Sequence, residues 1–200
     1  MDCCNYIGFI RIIACALLCC SSIIIAAHDK LSSQVPQRPS IMFNRWQENW
    51  SVLANPKVPR EPFDELKYVP LSKTDPLTYL SFGANLRERF ESNDAVNFGV
   101  DNSPSQSYVI SRIESHADLR IANQLQLFAQ LQNDNAPWKT IITPVDKDRL
   151  DLEQGFAALV EPIGTGTFKF RVGRQQFAFD LQRFVSVRDG PNVRQSYDAI

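Results

Sequence analysis

The sequence predicts an all-β protein, an antiparallel transmembrane β-barrel of outer-membrane type. Three observations predict it: a two-residue alternation from Thr78 to about Gln175, long alternating segments, and connections that alternate between long and short. In residues 78–91, one face reads Leu80, Phe82, Ala84, Leu86, Glu88, Phe90. The other reads Tyr79, Ser81, Gly83, Asn85, Arg87, Arg89, Glu91. Successive strand side chains point to opposite sides, so this is a strand with one apolar and one charged face. Such segments run to about a dozen residues, against a usual strand of roughly five or six. Long strands of this kind suit a wall with lipid on one side and water on the other.

Composition permits this architecture and narrows the alternatives. The chain has 200 residues and a formal net charge of -1, which gives no case for a nucleic-acid partner. No apolar run after the N-terminus reaches the roughly 18–20 residues that a membrane helix needs.

Residues 1–27 read as a signal peptide. An apolar stretch at 12–27 follows Arg11 and ends in Ala26-Ala27 before His28-Asp29-Lys30, so cleavage is expected near Ala27. The same stretch also admits an anchor helix, or lipoprotein processing at Cys15. Cys3, Cys4, Cys15, Cys19 and Cys20 are the chain's five cysteines and all lie here. The mature chain therefore has no disulfide framework and no CxxC redox or metal motif. The expected address is the bacterial outer membrane, after export.

Residues 28–77 form a proline-rich lead-in, expected on the periplasmic side and touching the barrel mouth. Pro36, Pro39, Pro56, Pro59, Pro62, Pro70 and Pro76 lie in it. Proline lacks the N–H of a sheet ladder, so the stretch is not a run of central strands. A short helix fits 43–53, with Trp46 and Trp50 one turn apart and packed locally.

The barrel portion is 78–200. Its second strand covers about 107–122, with Val109, Ser111, Ile113, Ser115, Ala117, Leu119 and Ile121 opposite Tyr108, Ile110, Arg112, Glu114, His116, Asp118 and Arg120. The third covers about 124–133, with Leu125, Leu127, Ala129 and Leu131 opposite Gln126, Phe128, Gln130 and Gln132. The fourth covers about 149–161, with Leu150, Leu152, Phe156, Ala158 and Val160 apolar and Asp151, Glu153 and Gly155 opposite. The fifth covers about 167–175, with Phe168, Phe170 and Val172 opposite Thr167, Lys169 and Arg171. Long polar connections at about 92–106, 134–148 and 176–194 alternate with short turns near Asn123 and at 162–166. Outer-membrane barrels have short periplasmic turns and longer outside loops, so the chain is expected to enter from the periplasm.

At these residues the chain resembles the bacterial alginate export family. Tyr79-Leu80-Ser81-Phe82-Gly83-Ala84-Asn85-Leu86-Arg87-Glu88-Arg89-Phe90-Glu91 is similar to that family's first strand. So are Phe63-Asp64-Glu65-Leu66-Lys67-Tyr68-Val69-Pro70-Leu71 before it and Val172-Gly173-Arg174-Gln175 after it. Arg183-Phe184-Val185-Ser186-Val187-Arg188-Asp189-Gly190-Pro191-Asn192-Val193-Arg194 and Tyr197-Asp198 complete the likeness, which covers about 40–200. The resemblance implies a barrel with an arginine-rich lumen that passively exports an anionic polysaccharide such as alginate. A general anion or small-solute porin and a secreted, pore-free carbohydrate-binding β-domain are the alternatives.

The chain stops at Ile200, inside what should be a sixth strand, while a barrel needs at least about eight strands to close. The expectation is the N-terminal part, the first 5–6 strands, of a barrel of about 16–18 strands. Its partners would be the anionic polysaccharide or solute, outer-membrane lipid, and periplasmic proteins of an export complex.

Strand parity turns Arg87, Arg89, Arg112, Arg120, Lys169 and Arg171 inward, against Glu91, Glu114, Asp118, Asp151 and Glu153. The strands alone are therefore of mixed charge, and inward arginines readily pair with inward carboxylates. The connection after Gln175 is more basic. Arg174, Arg183, Arg188 and Arg194 follow Arg171, against Asp180 and Asp189. Folded into the pore, it would present guanidinium groups to carboxylates, as rings of Arg do in anion pores. Strict alternation points Arg174 outward unless Gly173 marks a bulge. These ten cations are the candidate substrate pathway. No catalytic residue, metal ligand or cofactor motif emerges, and no enzyme activity is expected. His116 reads as a wall residue, Gly164-Thr165-Gly166 precedes a strand rather than a helix, and Asp151 with Glu153 reads as lumen decoration.

Overall fold

The computed structural model describes residues 37–94, 98, 100, 104–179, 181 and 183–200. The signal segment and the cleavage point near Ala27 lie outside the described residues. Arg38–Ile200 form one compact unit.

Among the described residues, one antiparallel sheet of seven strands follows sequence order. The strands are β1 (Val69–Pro70), β2 (Tyr79–Asn93), β3 (Gln106–Ile121), β4 (Leu125–Asn135), β5 (Asp148–Ile163), β6 (Gly166–Gln175) and β7 (Tyr197–Ala199). β1 and β7 stand at its edges. No helix among the described residues is long and apolar enough to cross a membrane.

The alternation of the sequence becomes two faces of opposite character. Leu86 and Phe90 on one face of β2 are 68% and 67% exposed, and Ile113, Leu127, Leu131, Leu159 and Phe170 are open beside them. On the other face Arg112 and Asp134 are each 1% exposed, and Glu114, Asp118, Gln126, Gln130, Gln132, Glu153 and Gln154 are buried. A soluble sheet buries its apolar face. A contiguous open apolar face this large calls for a nonpolar surrounding. This sheet is a wall of an outer-membrane barrel, and its polar, covered face is the inner face.

Turn chemistry fixes the register. Ala122 and Asn123 both take positive φ, 51 and 58, and the Gln124 N–H donates to the Ile121 carbonyl at 3.0 Å. That geometry matches a primed hairpin turn, whose twist suits the flanking strands. The β2–β3 and β3–β4 ladders then run without interruption, pairing Phe82 with Ala117 and His116 with Gln130.

The fourth strand differs from its predicted faces. The β4–β5 register shifts between Gln130 and Leu131, where Gln130 pairs with Gln154 but Leu131 pairs with Leu152. Glu153 is the extra residue, so Glu153 and Gln154 are both buried on the inner face. One added residue inverts the parity of everything beyond it. Phe156 and Ala158 are therefore buried on the inner face, not on the apolar side with Leu152, and Gly155 pairs with the outer residue Ala129.

The lead-in folds as short pieces rather than as a helix over 43–53. Two 3-10 turns, Arg45–Gln47 and Trp50–Ala54, precede a single helical turn, α1 (Asp64–Lys67). The two tryptophans part company. Trp50 joins Leu53, Val58 and Tyr79 in a local apolar cluster, whereas Trp46 packs on the inner face against Phe156. Arg38 ties the start to α1, donating to both Asp64 oxygens at 2.8 Å and to Glu61 at 3.0 Å. That guanidinium holds the Asp64 carboxyl well below the usual carboxylate range. The lead-in thus covers the short-turn half of the inner face and does more than touch a mouth.

Gly173 in β6 has φ 125, and a Cβ there would collide with the Gly155 carbonyl oxygen. Gly173→Ala is predicted to destabilise the folded wall by about 1–3 kcal/mol. The check is the urea midpoint of the complete protein folded in detergent; an unchanged midpoint would contradict the geometry.

Candidate functional site

The inner face carries the predicted cations, and each strand places its own by register. Arg112 faces Arg87 across the β2–β3 ladder, and Arg120 faces Tyr79 and Gln126. Lys169 and Arg171 pair with Val160 and Ala158 on β5. Most of these cations have carboxylates within reach. Arg89 pairs with Glu91 on its own strand. Arg120 meets Asp118 at 3.0 Å. Arg87 contacts Asp189 at 3.4 Å.

Arg112 is the centre of a larger assembly. Its Nε donates to the Asn192 carbonyl at 2.8 Å, and its terminal nitrogens reach the Pro191 carbonyl at 2.8 Å and Asp189 at 2.9 Å. Asp134 lies 3.6 Å away. Arg194 reaches Glu114 at 2.6 Å and Asp189 at 2.9 Å, and its guanidinium lies 4.4 Å from the Phe43 ring centroid. The Asn192 side chain, 1% exposed, donates to the carbonyls of Ser111, Asn135 and Asp146 at 2.9–3.0 Å. Residues 189–194 are thereby pinned on the long-connection half of the inner face. Burial pushes the Asp189 carboxyl up, but Arg112 and Arg194 outweigh it and hold the group below its ordinary value.

The short-turn half is organised by Trp46. Arg120 donates to the carbonyls of Trp46 and Glu48 at 2.7 and 2.9 Å, and Gln126 donates to Trp46 at 2.9 Å. The Arg171 guanidinium lies 3.7 Å from the Trp46 centroid and 4.3 Å from that of Phe156. The Lys169 ammonium lies 4.5 Å from the Trp46 centroid. His116, Phe128 and Phe156 form a stacked aromatic row beneath. Gly83 gives His116 room, since a Cβ there would sit 2.5 Å from the imidazole Cε1.

The other candidate cations are less enclosed. Arg174 pairs in register with Gly155 and bonds Asp198 at 3.2 Å and the Leu152 carbonyl at 3.3 Å. Gly173 carries the positive φ that breaks regular strand geometry beside it. Arg183 and Arg188 lie on the exposed part of the connection, around the bridge from Phe179 to Val185, and make no ion pair with any described residue. The structure thus gathers Arg87, Arg112 and Arg194 around Asp189, gathers Arg120, Lys169 and Arg171 around Trp46, and leaves Arg183 and Arg188 apart. Arg45, buried and paired with Glu48 at 3.0 Å, Asp134 and the pinning role of Asn192 were missed in the sequence. Their signals were weak: a cation in an irregular segment, an acid just past a strand limit, and an asparagine in a loop. Among the described residues, no group of three or more His, Cys, Asp or Glu side chains is arranged to hold a metal.

The sequence family described as alginate export matches residues 78–200, more than half of the chain. No curated protein and no solved structure matches the chain.

Two predictions follow from the Arg112 assembly. Arg112→Met should cost about 3–5 kcal/mol, because it leaves Glu114 and Asp134 buried with less compensation. The readout is the loss of folded protein in a urea titration. Acid should release residues 189–194. The Asp189 carboxyl titrates below its unfolded value, so its stabilisation is complete above the ordinary carboxylate range and is lost as pH falls through the lowered value. Limited proteolysis at descending pH should show cleavage near 189–194 appearing in acid, and Asp189→Asn should be equally cleavable at neutral pH. Protection of 189–194 that persists in acid, or Asp189→Asn as protected as wild type at neutral pH, would rule this out.

Proposed function

The chain belongs to the alginate export family, and on that premise we propose that it is part of an outer-membrane channel that passively exports an anionic polysaccharide such as alginate. The family match over 78–200 carries this reading. Two physical features support it. The wall has an open apolar face and a buried polar face, as a lipid-embedded pore wall requires. Its inner face also presents arginines, whose planar forks suit carboxylates and which cannot lose their charge.

The cations divide into two working sets in this reading. Arg87, Arg89, Arg112, Arg120 and Arg194 are balanced by carboxylates and shape the wall. Arg183 and Arg188 have exposed side chains without ion pairs to described residues and are free to bias passing charge. Arg174 shares its charge between Asp198 and Asp151 and contributes less. Proteins of a periplasmic export complex would deliver the polymer to the short-turn side, after the signal segment has directed export. Transport down a gradient needs no catalytic group and no cofactor.

Planar-bilayer recording of the complete protein that carries this chain tests the proposal. In a salt gradient the zero-current potential should report anion preference. Arg183→Glu with Arg188→Glu should remove most of that preference, since charged rings set pore selectivity. Cation preference in the wild type would defeat the reading.

A further inference from the structure

We propose that Lys169, Arg171 and the Phe156 ring form a seat for one carboxylated sugar residue, and that the lead-in tip at Trp46 fills this seat until the polymer displaces it. The proposal rests on the export reading above and adds a site and a competitor to it.

The first observation is a charge imbalance. Among the described residues, Arg87, Arg89, Arg112, Arg120 and Arg194 all have carboxylate partners. Lys169 and Arg171 have no carboxylate in ion-pair contact, and Asp118 acts on Lys169 only from further off. Lys169 contacts Gln126 at 3.3 Å and Arg171 contacts Gln175 at 3.3 Å, both through neutral amide oxygens. Two neighbouring cations on one strand, Lys169 exposed and Arg171 partly buried, with no carboxylate in contact, form a standing attraction for one.

The second observation is what covers them. Arg171 lies between the Trp46 and Phe156 rings, at 3.7 and 4.3 Å from their centroids. The two rings stand edge to face at 87°, so Arg171 sits in their corner and its N–H groups remain the natural contacts for a carboxylate. The Trp46 and Glu48 carbonyls accept from Arg120 and Gln126. A flat ring bearing acceptor oxygens, laid on aromatic and cationic groups, is also what a carboxylated sugar presents. The Trp46 indole and these carbonyls imitate that pattern without setting a carboxylate against Lys169 and Arg171, since the nearby Glu48 is paired with Arg45.

The third observation is that the tip fits its seat imperfectly. The Asn44 Oδ1, Arg45 Nε and Trp46 Nε1 atoms are buried and make no hydrogen bond to any described residue. Buried polar groups left unpaired weigh against the closed position. A cavity of about 250 Å³ opens beside Trp46, lined by Arg120, Gln126, Val160 and Lys169, and gives an incoming sugar a place to begin.

The test uses the complete protein in planar bilayers, with current block by a mannuronate trisaccharide and by neutral maltotriose. Trp46→Ala should lower the half-blocking concentration of the mannuronate trisaccharide by about tenfold, the scale of a lost cation–π competitor. Maltotriose block should not change. Adding Lys169→Gln should cancel the gain. An unchanged or weakened trisaccharide block in Trp46→Ala, or an equal gain for maltotriose, overturns the proposal. A second readout needs neither a pore nor that variant. In protein in which every other tryptophan, Trp50 and Trp138 included, is replaced by Phe, the Trp46 emission should move to longer wavelength as the mannuronate trisaccharide is added. No shift overturns the seat even where conductance is anion-selective. A silent or cation-selective wild-type channel overturns the export reading, and the emission titration then still decides the seat.

Discussion

A charged face buried inside a wall has to be neutralised by the wall itself. In a soluble sheet the hydrophobic effect drives the inner face together. Here the inner face holds Arg112, Glu114, Asp118, Asp134 and Glu153, all nearly shut off from solvent. Each of these groups would be costly to bury alone. The structure meets that constraint by laying two irregular segments over the sheet. Residues 189–194 bring carbonyls and Asp189 to Arg112, and residues 43–50 bring carbonyls to Arg120. The same constraint explains why amides are so common among the buried residues. Gln126, Gln130 and Gln154 relay hydrogen bonds between strands where another charge would upset the balance.

The strands were legible because alternation is written directly in residue type. Leu86 and Arg87 declare their faces without any tertiary information. The same rule misplaced Phe156 and Ala158, and the cause is physical. A bulge at Glu153 adds one residue, and one residue inverts every later face. The residues there, Leu152-Glu153-Gln154-Gly155, contain no proline and no turn pair that would mark the slip. Downstream, apolar Phe156 looked like lipid-facing wall and is an inner-face platform under Trp46. Aromatic residues suit either place, so composition could not decide it.

The covering segments were legible only as exclusions. Prolines ruled out central strands across the lead-in, and β1 is a two-residue edge piece that includes Pro70. They did not say what the segment touches. Trp46 and Trp50 stand four residues apart, a spacing that suggests one helical face. The two 3-10 turns separate them instead, sending one ring to the sheet and the other to a local cluster. The inner-face charge count was also legible, but pairing was not. Asp189 serves Arg87, Arg112 and Arg194 together from a loop, a contact that sequence separation hides.

Pairing, rather than number, decides which cations can act on a passing anion. An arginine held by a carboxylate presents little net field, and its donors are spent. Arg112 uses its guanidinium on backbone carbonyls and Asp189, so its charge serves the wall. A mixed inner face is therefore compatible with anion preference, provided that the unpaired cations lie along the path. Lys169 and Arg171 are the wall cations in that condition, and they are also the ones the lead-in covers. An indole shields a cation without cancelling it, because its attraction is weaker than a carboxylate's and carries no charge. A wall built this way can hold its positive charge in reserve during folding and present it when a stronger anion arrives. A carboxylate in place of Trp46 would neutralise the pair permanently and leave the polymer no advantage over its competitor.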